Sequence, residues 1–120
     1  MTPPPSDDSF AWLDGIAVAA TVCDRQGTCV YLNAQAARVF AKHGGADLVG
    51  KNLLDCHPEH ARARFAAQLA APAPNSYTIE KNGVRKLIHQ IPWFKQGELA
   101  GVVELSLELP DSLPHFVRAP

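Results

Sequence analysis

Asp55, Cys56, His57, Glu59 and His60 place five side chains able to bind a metal or move a proton within six positions. Two imidazoles three residues apart share a helical face only where the helix already includes His57, and Pro58 disfavours helical backbone at the residue before it. Zinc sites usually draw paired Cys or His motifs from more than one place in a chain, and here the pairing occurs once. Capping by Asp55 and burial of Cys56 account for the cluster, so no metal is expected. A second chemistry would be a redox-sensing thiol at Cys56 with its pKa lowered by His57. A buried structural cysteine is the commoner arrangement. His89 is the third candidate. Leu87, Ile91 and Trp93 share its strand parity, which predicts an imidazole on the core face beneath the helices. There it could hydrogen-bond a small ligand, ligate haem iron, or be satisfied by a backbone carbonyl as a core histidine.

No catalytic signature is assembled: the chain has no Gly-rich phosphate loop, no Gly-x-Ser-x-Gly elbow and no His-Glu-x-x-His. His57-Pro58-Glu59-His60 imitates an acid–base pair without a substrate-positioning partner, so an enzyme is not expected. A net charge of -1 without clustered Lys and Arg argues against nucleic acid as a partner. The longest apolar run, Ile16 to Val22, is far short of a membrane span. The N-terminus lacks the basic and apolar regions of a secretory signal, so the expected compartment is cytoplasmic. Three cysteines, an odd number, favour reduced thiols over a disulfide framework.

These residues must be positioned by one domain, the default for 120 residues. Residues 1–7, with Pro3-Pro4-Pro5, are expected as a flexible leader, and Asp7 or Asp8 can cap a short helix ending near Leu13. Ile16, Val18, Ala20 and Val22 alternate as a strand, Asp24 to Gly27 turns, and Thr28 to Leu32 returns as a hairpin partner. A simple four-residue turn sets Cys29 opposite Val22 and Cys23 opposite Thr28, which separates the cysteines onto opposite faces. Asn33 is an N-cap for Ala34 to Lys42, and Gly44-Gly45 stops that helix. Pro58 opens a helix from Glu59 to about Ala71, with Ala61, Phe65 and Leu69 as its stripe. Strands follow at 76–81, 84–95 and 99–109, joined by Asn82-Gly83 and by the turn at 95–98. The residues from 110 to 120 show no periodicity and form an irregular tail. The order predicts an α+β fold: a five-stranded antiparallel sheet covered on one face by helices between residues 33 and 71. Phe40, Leu54, Phe65, Leu87, Ile91, Val103, Leu105 and Leu107 are the expected core.

Asp24-x-x-Gly27-x-Cys29-x-Tyr31-x-Asn33, then Ala34-x-Ala36-Ala37-x-x-Phe40, then Gly50-Lys51-Asn52-Leu53, resembles the first half of a PAS domain. Gly97-Glu98-Leu99-x-Gly101-Val102-Val103-Glu104-Leu105 resembles the family's last hairpin and strand. The likeness covers about residues 8 to 109. Asp55-Cys56-His57-Pro58 before a helix, with Ile88-His89 on the next long strand, is similar to PAS domains that accompany hemerythrin-like modules in bacterial regulators. The resemblance implies a sensory module that binds a small ligand or cofactor, haem among them, or that pairs as a homodimer to regulate a separate effector protein. A ligand-free interaction module is the alternative. The implied pocket gathers His89, Trp93, Tyr31, Cys56 and His57, with Phe40, Leu87 and Leu105 among its apolar walls. Phe10, Trp12 and Leu13 would be buried by a partner copy or by the chain's own sheet. Two departures stand out. Glu108-Leu109-Pro110 replaces the family's Asp-Ile-Thr-like ending, and the reactive-cysteine segment of its flavin photosensors is missing.

Overall fold

The computed structural model describes residues 11–120; the expected leader and the caps Asp7 and Asp8 lie outside the described residues. The chain runs α1 (Ala11–Asp14), β1 (Ala19–Asp24), β2 (Cys29–Leu32), α2 (Ala34–Val39), three short 3-10 turns (Ala41–His43, Gly45–Leu48, Leu53–Cys56), α3 (Glu59–Ala70), then β3 (Asn75–Lys81), β4 (Val84–Lys95) and β5 (Glu98–Leu109). The strands form one sheet of order β2-β1-β5-β4-β3 with every neighbouring pair antiparallel. Two-residue turns close the last two hairpins, Asn82-Gly83 and Gln96-Gly97, each with positive φ at both positions as the twist of paired strands requires. Past Gln90, where β3 ends, β4 has no outer neighbour. Pro92 sits there, at an edge where a missing N–H breaks no ladder bond.

Asn33 ties the layers together. It is fully buried. Its Oδ1 accepts from the backbone N–H of Ala20 and of Ala36, both at 3.0 Å, and its Nδ2 donates to the carbonyls of Leu13 at 2.7 Å and Val18 at 2.8 Å. One amide thus caps α2 while holding α1 and the lead-in to β1, with all its hydrogen-bonding capacity used.

The two sheet faces divide differently from expectation. Ala19, Thr21 and Cys23 of β1, Ile88 and Gln90 of β4, and Val102, Glu104 and Ser106 of β5 line the spaces shared with Phe40, Leu48, Leu53 and Phe65 of the helical layer. Leu87, His89, Ile91 and Trp93, with Val103, Leu105 and Leu107, therefore occupy the opposite face, since alternate residues of a strand point apart. The expectation that Leu87, His89, Ile91, Val103, Leu105 and Leu107 lie beneath the helices is overturned. Alternation marked the apolar face correctly, but the helical layer covers the other one. The buried core centres on Cys23, Leu69 and Val102, with Leu53, Leu54 and Phe65 packed against it.

The cysteine register also differs. A β-bulge between Val22 and Cys23 shifts the hairpin by one residue, so Cys23 pairs directly with Cys29 rather than facing Thr28. Both are buried, and both are free thiols. Gly101 of β5 lies against the same stretch of β1. A Cβ there would run into the Cys23 carbonyl oxygen and stand 2.8 Å from Asp24 Cα. The bare backbone leaves a path by which Trp93 reaches across β5 to donate its indole N–H to the Cys23 carbonyl at 3.0 Å.

Asn33→Ala leaves buried backbone groups without partners and removes the cap of α2. A loss of about 2–4 kcal/mol is expected, read as a lower urea midpoint at unchanged m-value.

Candidate functional site

Between sheet and helical layer lies a cavity of about 160 Å³. Its sheet wall is Thr21, Cys23, Gln90, Val102 and Glu104; the opposite wall is Phe40, His43, Leu48, Leu53, Cys56, His57 and Phe65. One transverse row of the sheet supplies its polarity. Asn75, Gln90, Glu104 and Thr21 are successive cross-strand neighbours on β3, β4, β5 and β1. Asn75 Nδ2 donates to Gln90 Oε1 at 3.1 Å, and Gln90 Nε2 donates to Glu104 Oε1 at 2.9 Å. A carboxylate only accepts, so Glu104 fixes which end of the Gln90 amide meets it, and Gln90 Oε1 is left to accept from Asn75.

The last 3-10 turn sets the facing wall. Asn52 caps it by accepting from Leu54 N–H at 2.8 Å, and that turn presents Leu53, Cys56 and then His57 to the cavity. His57 Nδ1 lies 2.6 Å from the Leu53 carbonyl, and its ring stacks on Phe65 at 4.8 Å between centroids with planes 9° apart. A carbonyl only accepts, so Nδ1 carries a proton, and in the neutral ring Nε2 is the acceptor. His57, Phe65 and Gln90 also border a wider groove with Ala61, Arg64, Gln68, Asn75 and Tyr77. Tyr77 is held above the ordinary phenol range, first by desolvation and then by the Glu104 carboxylate, with Arg64 acting in the opposite direction. Burial pushes the Cys23 thiol up, against a backbone hydrogen bond from Val102 that favours the thiolate, and Cys29 is raised by the same cause.

Of the residues expected to converge, Phe40, Cys56 and His57 do so in this cavity. Tyr31 and Trp93 instead border an apolar groove on the outer face with Leu13, Asp14, Val22, Val30 and Val103. Leu87 and Leu105 share that outer face, and His89 bonds there to Ser76, its cross-strand partner on β3. The inward parity read for β4 and β5 is off by one residue, and every side chain on those strands changes face with it. Cys56 is exposed rather than buried, because its 3-10 turn sits at the rim. Asp55 does not cap α3, whose N-cap is Pro58; it pairs with Arg62 at 2.7 Å on the surface. Among the described residues no three His, Cys, Asp or Glu side chains come together as a metal site. Thr21, His43, Gln90 and Glu104 were missed. For Gln90 and Glu104 the signal was in the sequence: polar residues recur on β4 and β5 at the parity opposite to the apolar stripe.

His89, the expected iron ligand, lies on the outer sheet face bonded to Ser76, so it cannot ligate iron in the inner cavity.

A five-stranded antiparallel sheet of this order, with a capped helical segment over one face and a cavity between them, defines a PAS fold. A family model for the PAS fold matches residues 13–111, and the chain belongs to that family. Solved structures agree in fold. The chain is similar to the PAS domain of BvgS from Bordetella pertussis, with a TM-score of 0.65 at 18% identity over 88% of this chain and 86% of that one. It is similar to the Aer2 receptor from Vibrio cholerae, described as a dual PAS-heme oxygen sensor, with a TM-score of 0.58 at 19% identity over 78% of this chain and 95% of that one. A sensory box sensor histidine kinase from the same organism gives 0.57 at 16% identity over 85% and 90%. No curated protein matches the chain. Membership makes this a sensory and signalling module, and among the described residues no helix is long and apolar enough to cross a membrane.

The thiols give a direct check on the site. In the native protein iodoacetamide should label Cys56 alone, and all three cysteines once the chain is unfolded, with intact mass counting the adducts. Because the Cys23 and Cys29 pKa values are raised, bringing the pH up to the ordinary thiol range should not recruit them in the folded state.

Proposed function

We propose that this PAS domain senses a small polar molecule in the cavity under its helices and passes the occupancy to a second copy of itself across the outer sheet face. The observation that carries the reading is the inversion of the sheet. Polar side chains Thr21, Gln90 and Glu104 face the helices, while Leu87, Ile91, Trp93, Val103, Leu105 and Leu107 face away from them. A single-domain core built only for stability would be arranged the other way round. Oriented polar groups in a mostly apolar cavity suit a ligand, and an apolar sheet face left by the helices suits a protein partner.

The two faces are linked through β5. Glu104 points into the cavity while its chain neighbours Val103 and Leu105 point outward, so a ligand that displaces Glu104 displaces the outer face with it. The groove between α1 and that face is apolar, its wall Val30 is 45% exposed, and Trp12, next in chain to Leu13 of the groove, is 61% exposed. Two copies meeting on this face bury those groups in a self-complementary contact. The effector that reads the pairing is then a separate protein, and regulation of transcription is one output such a module serves. The modest size of the cavity favours a second reading, a pairing module that works without ligand.

Light scattering tests the pairing. The wild-type chain should run as a dimer that dissociates on dilution, and Leu105→Glu should give a monomer with an unchanged far-ultraviolet spectrum. A wild-type monomer at all concentrations overturns the reading.

A further inference from the structure

We infer that the molecule held in the inner cavity is a small alkylammonium ion, a primary amine carrying a short apolar chain; the inference rests on reading that cavity as a sensing site. Glu104 is half-buried against the helical layer, and one of its oxygens is taken by Gln90. Gln90 is held from both sides, by Glu104 at Nε2 and by Asn75 at Oε1, so the bond to Glu104 is part of the sheet before any ligand arrives. Among the described residues no other side chain donates to Glu104, and the one ion pair, Arg62 with Asp55, lies elsewhere on the surface. The carboxylate thus has one oxygen free toward the cavity and no cation to balance it.

Among the described residues no group forms an ion pair with Glu104. His57 spends its Nδ1 proton on the Leu53 carbonyl, and its neutral ring offers a lone pair at Nε2. His43 lines the cavity, and Thr21, beside Glu104 on β1, contributes a hydroxyl that can accept. Arg64 borders the neighbouring groove with Tyr77, and Lys81 and Lys86 border the groove running from Glu104 past Tyr77 and Ile79; none of these cations forms an ion pair with it. The cavity is thus lined by three acceptors, the Glu104 carboxylate, the Thr21 hydroxyl beside it and Nε2 of a neutral His57. A primary ammonium brings three donors and the opposite charge. An anion would meet an uncompensated carboxylate in a partly desolvated site, and a neutral molecule would leave that carboxylate unbalanced. Phe40, Leu48, Leu53, Phe65 and Val102 take the alkyl chain. The cavity, at about 160 Å³, is close to the size that holds a benzene-sized group, which a short alkyl chain fills.

Three probes of one shape isolate the charge: n-butylammonium, 1-butanol and butyrate, titrated into the full chain at matched ionic strength and followed by amide chemical shifts. Butylammonium should bind most tightly, with shifts concentrated at residues 21, 57, 90 and 104, and butyrate least. Glu104→Gln should weaken butylammonium by about tenfold or more and leave 1-butanol unchanged. Should that variant fail to fold, the ranking of the three probes on the wild-type chain decides alone. Butyrate or 1-butanol binding as tightly as butylammonium, or Glu104→Gln binding butylammonium undiminished, overturns the assignment of charge while leaving a ligand site. If none of the three shifts any cavity residue, the sensing reading falls with it.

Discussion

The side-chain amide of Asn33 is the constraint on which the rest of the molecule depends. Its four hydrogen bonds join Leu13 and Val18 before the sheet, Ala20 within β1, and Ala36 in the first turn of α2. Removing any one leaves a polar group buried without a partner, so the four are held together or lost together. Through them the helical layer takes its origin from a fixed point on the sheet. Phe40 and His43 reach the cavity because α2 starts where Asn33 places it, and Leu13 borders the outer groove because its carbonyl is held by the same amide.

From that point the sheet presents two chemically distinct surfaces, and their placement was only half legible in the sequence. The strands of the second half were readable nearly to the residue because Asn82-Gly83 favours a backbone conformation that few other pairs adopt, and the polar stretch from 95 to 98 marks the next reversal. The Asn33 cap and the helix after Pro58 were readable for similarly local reasons. What alternation does not reveal is which of two faces the helices cover. The apolar stripe Leu87, Ile91, Trp93 and Val103, Leu105, Leu107 was real, but α2 and α3 lie over Ile88, Gln90, Val102 and Glu104.

The candidate site divides along the same line. Cys56, His57 and Phe40 were found because they belong to the helical segment, where local signals govern. His89, Tyr31, Trp93, Leu87 and Leu105 were misplaced because they belong to strands, where one residue of register reverses everything. The Cys23–Cys29 pairing failed through a single bulge, a feature with no composition signal in Asp24 to Gly27. Glu104 and Gln90 were readable in principle. Glu104 lies between Val103 and Leu105 and Gln90 between His89 and Ile91, and their meaning depended on knowing what faced them.

Trp93 turns the relation between the two faces into something observable by light. Its indole lies on the outer side of the sheet, yet its N–H is bonded to the carbonyl of Cys23, whose thiol lines the inner cavity. The bond crosses β5 above Gly101, where no side chain intervenes. Indole emission responds to the strength of the hydrogen bond its nitrogen makes, so a movement of β1 at the cavity wall is written into the fluorescence of a residue on the opposite surface. The fold thus carries a built-in optical gauge of strain across its own central strand.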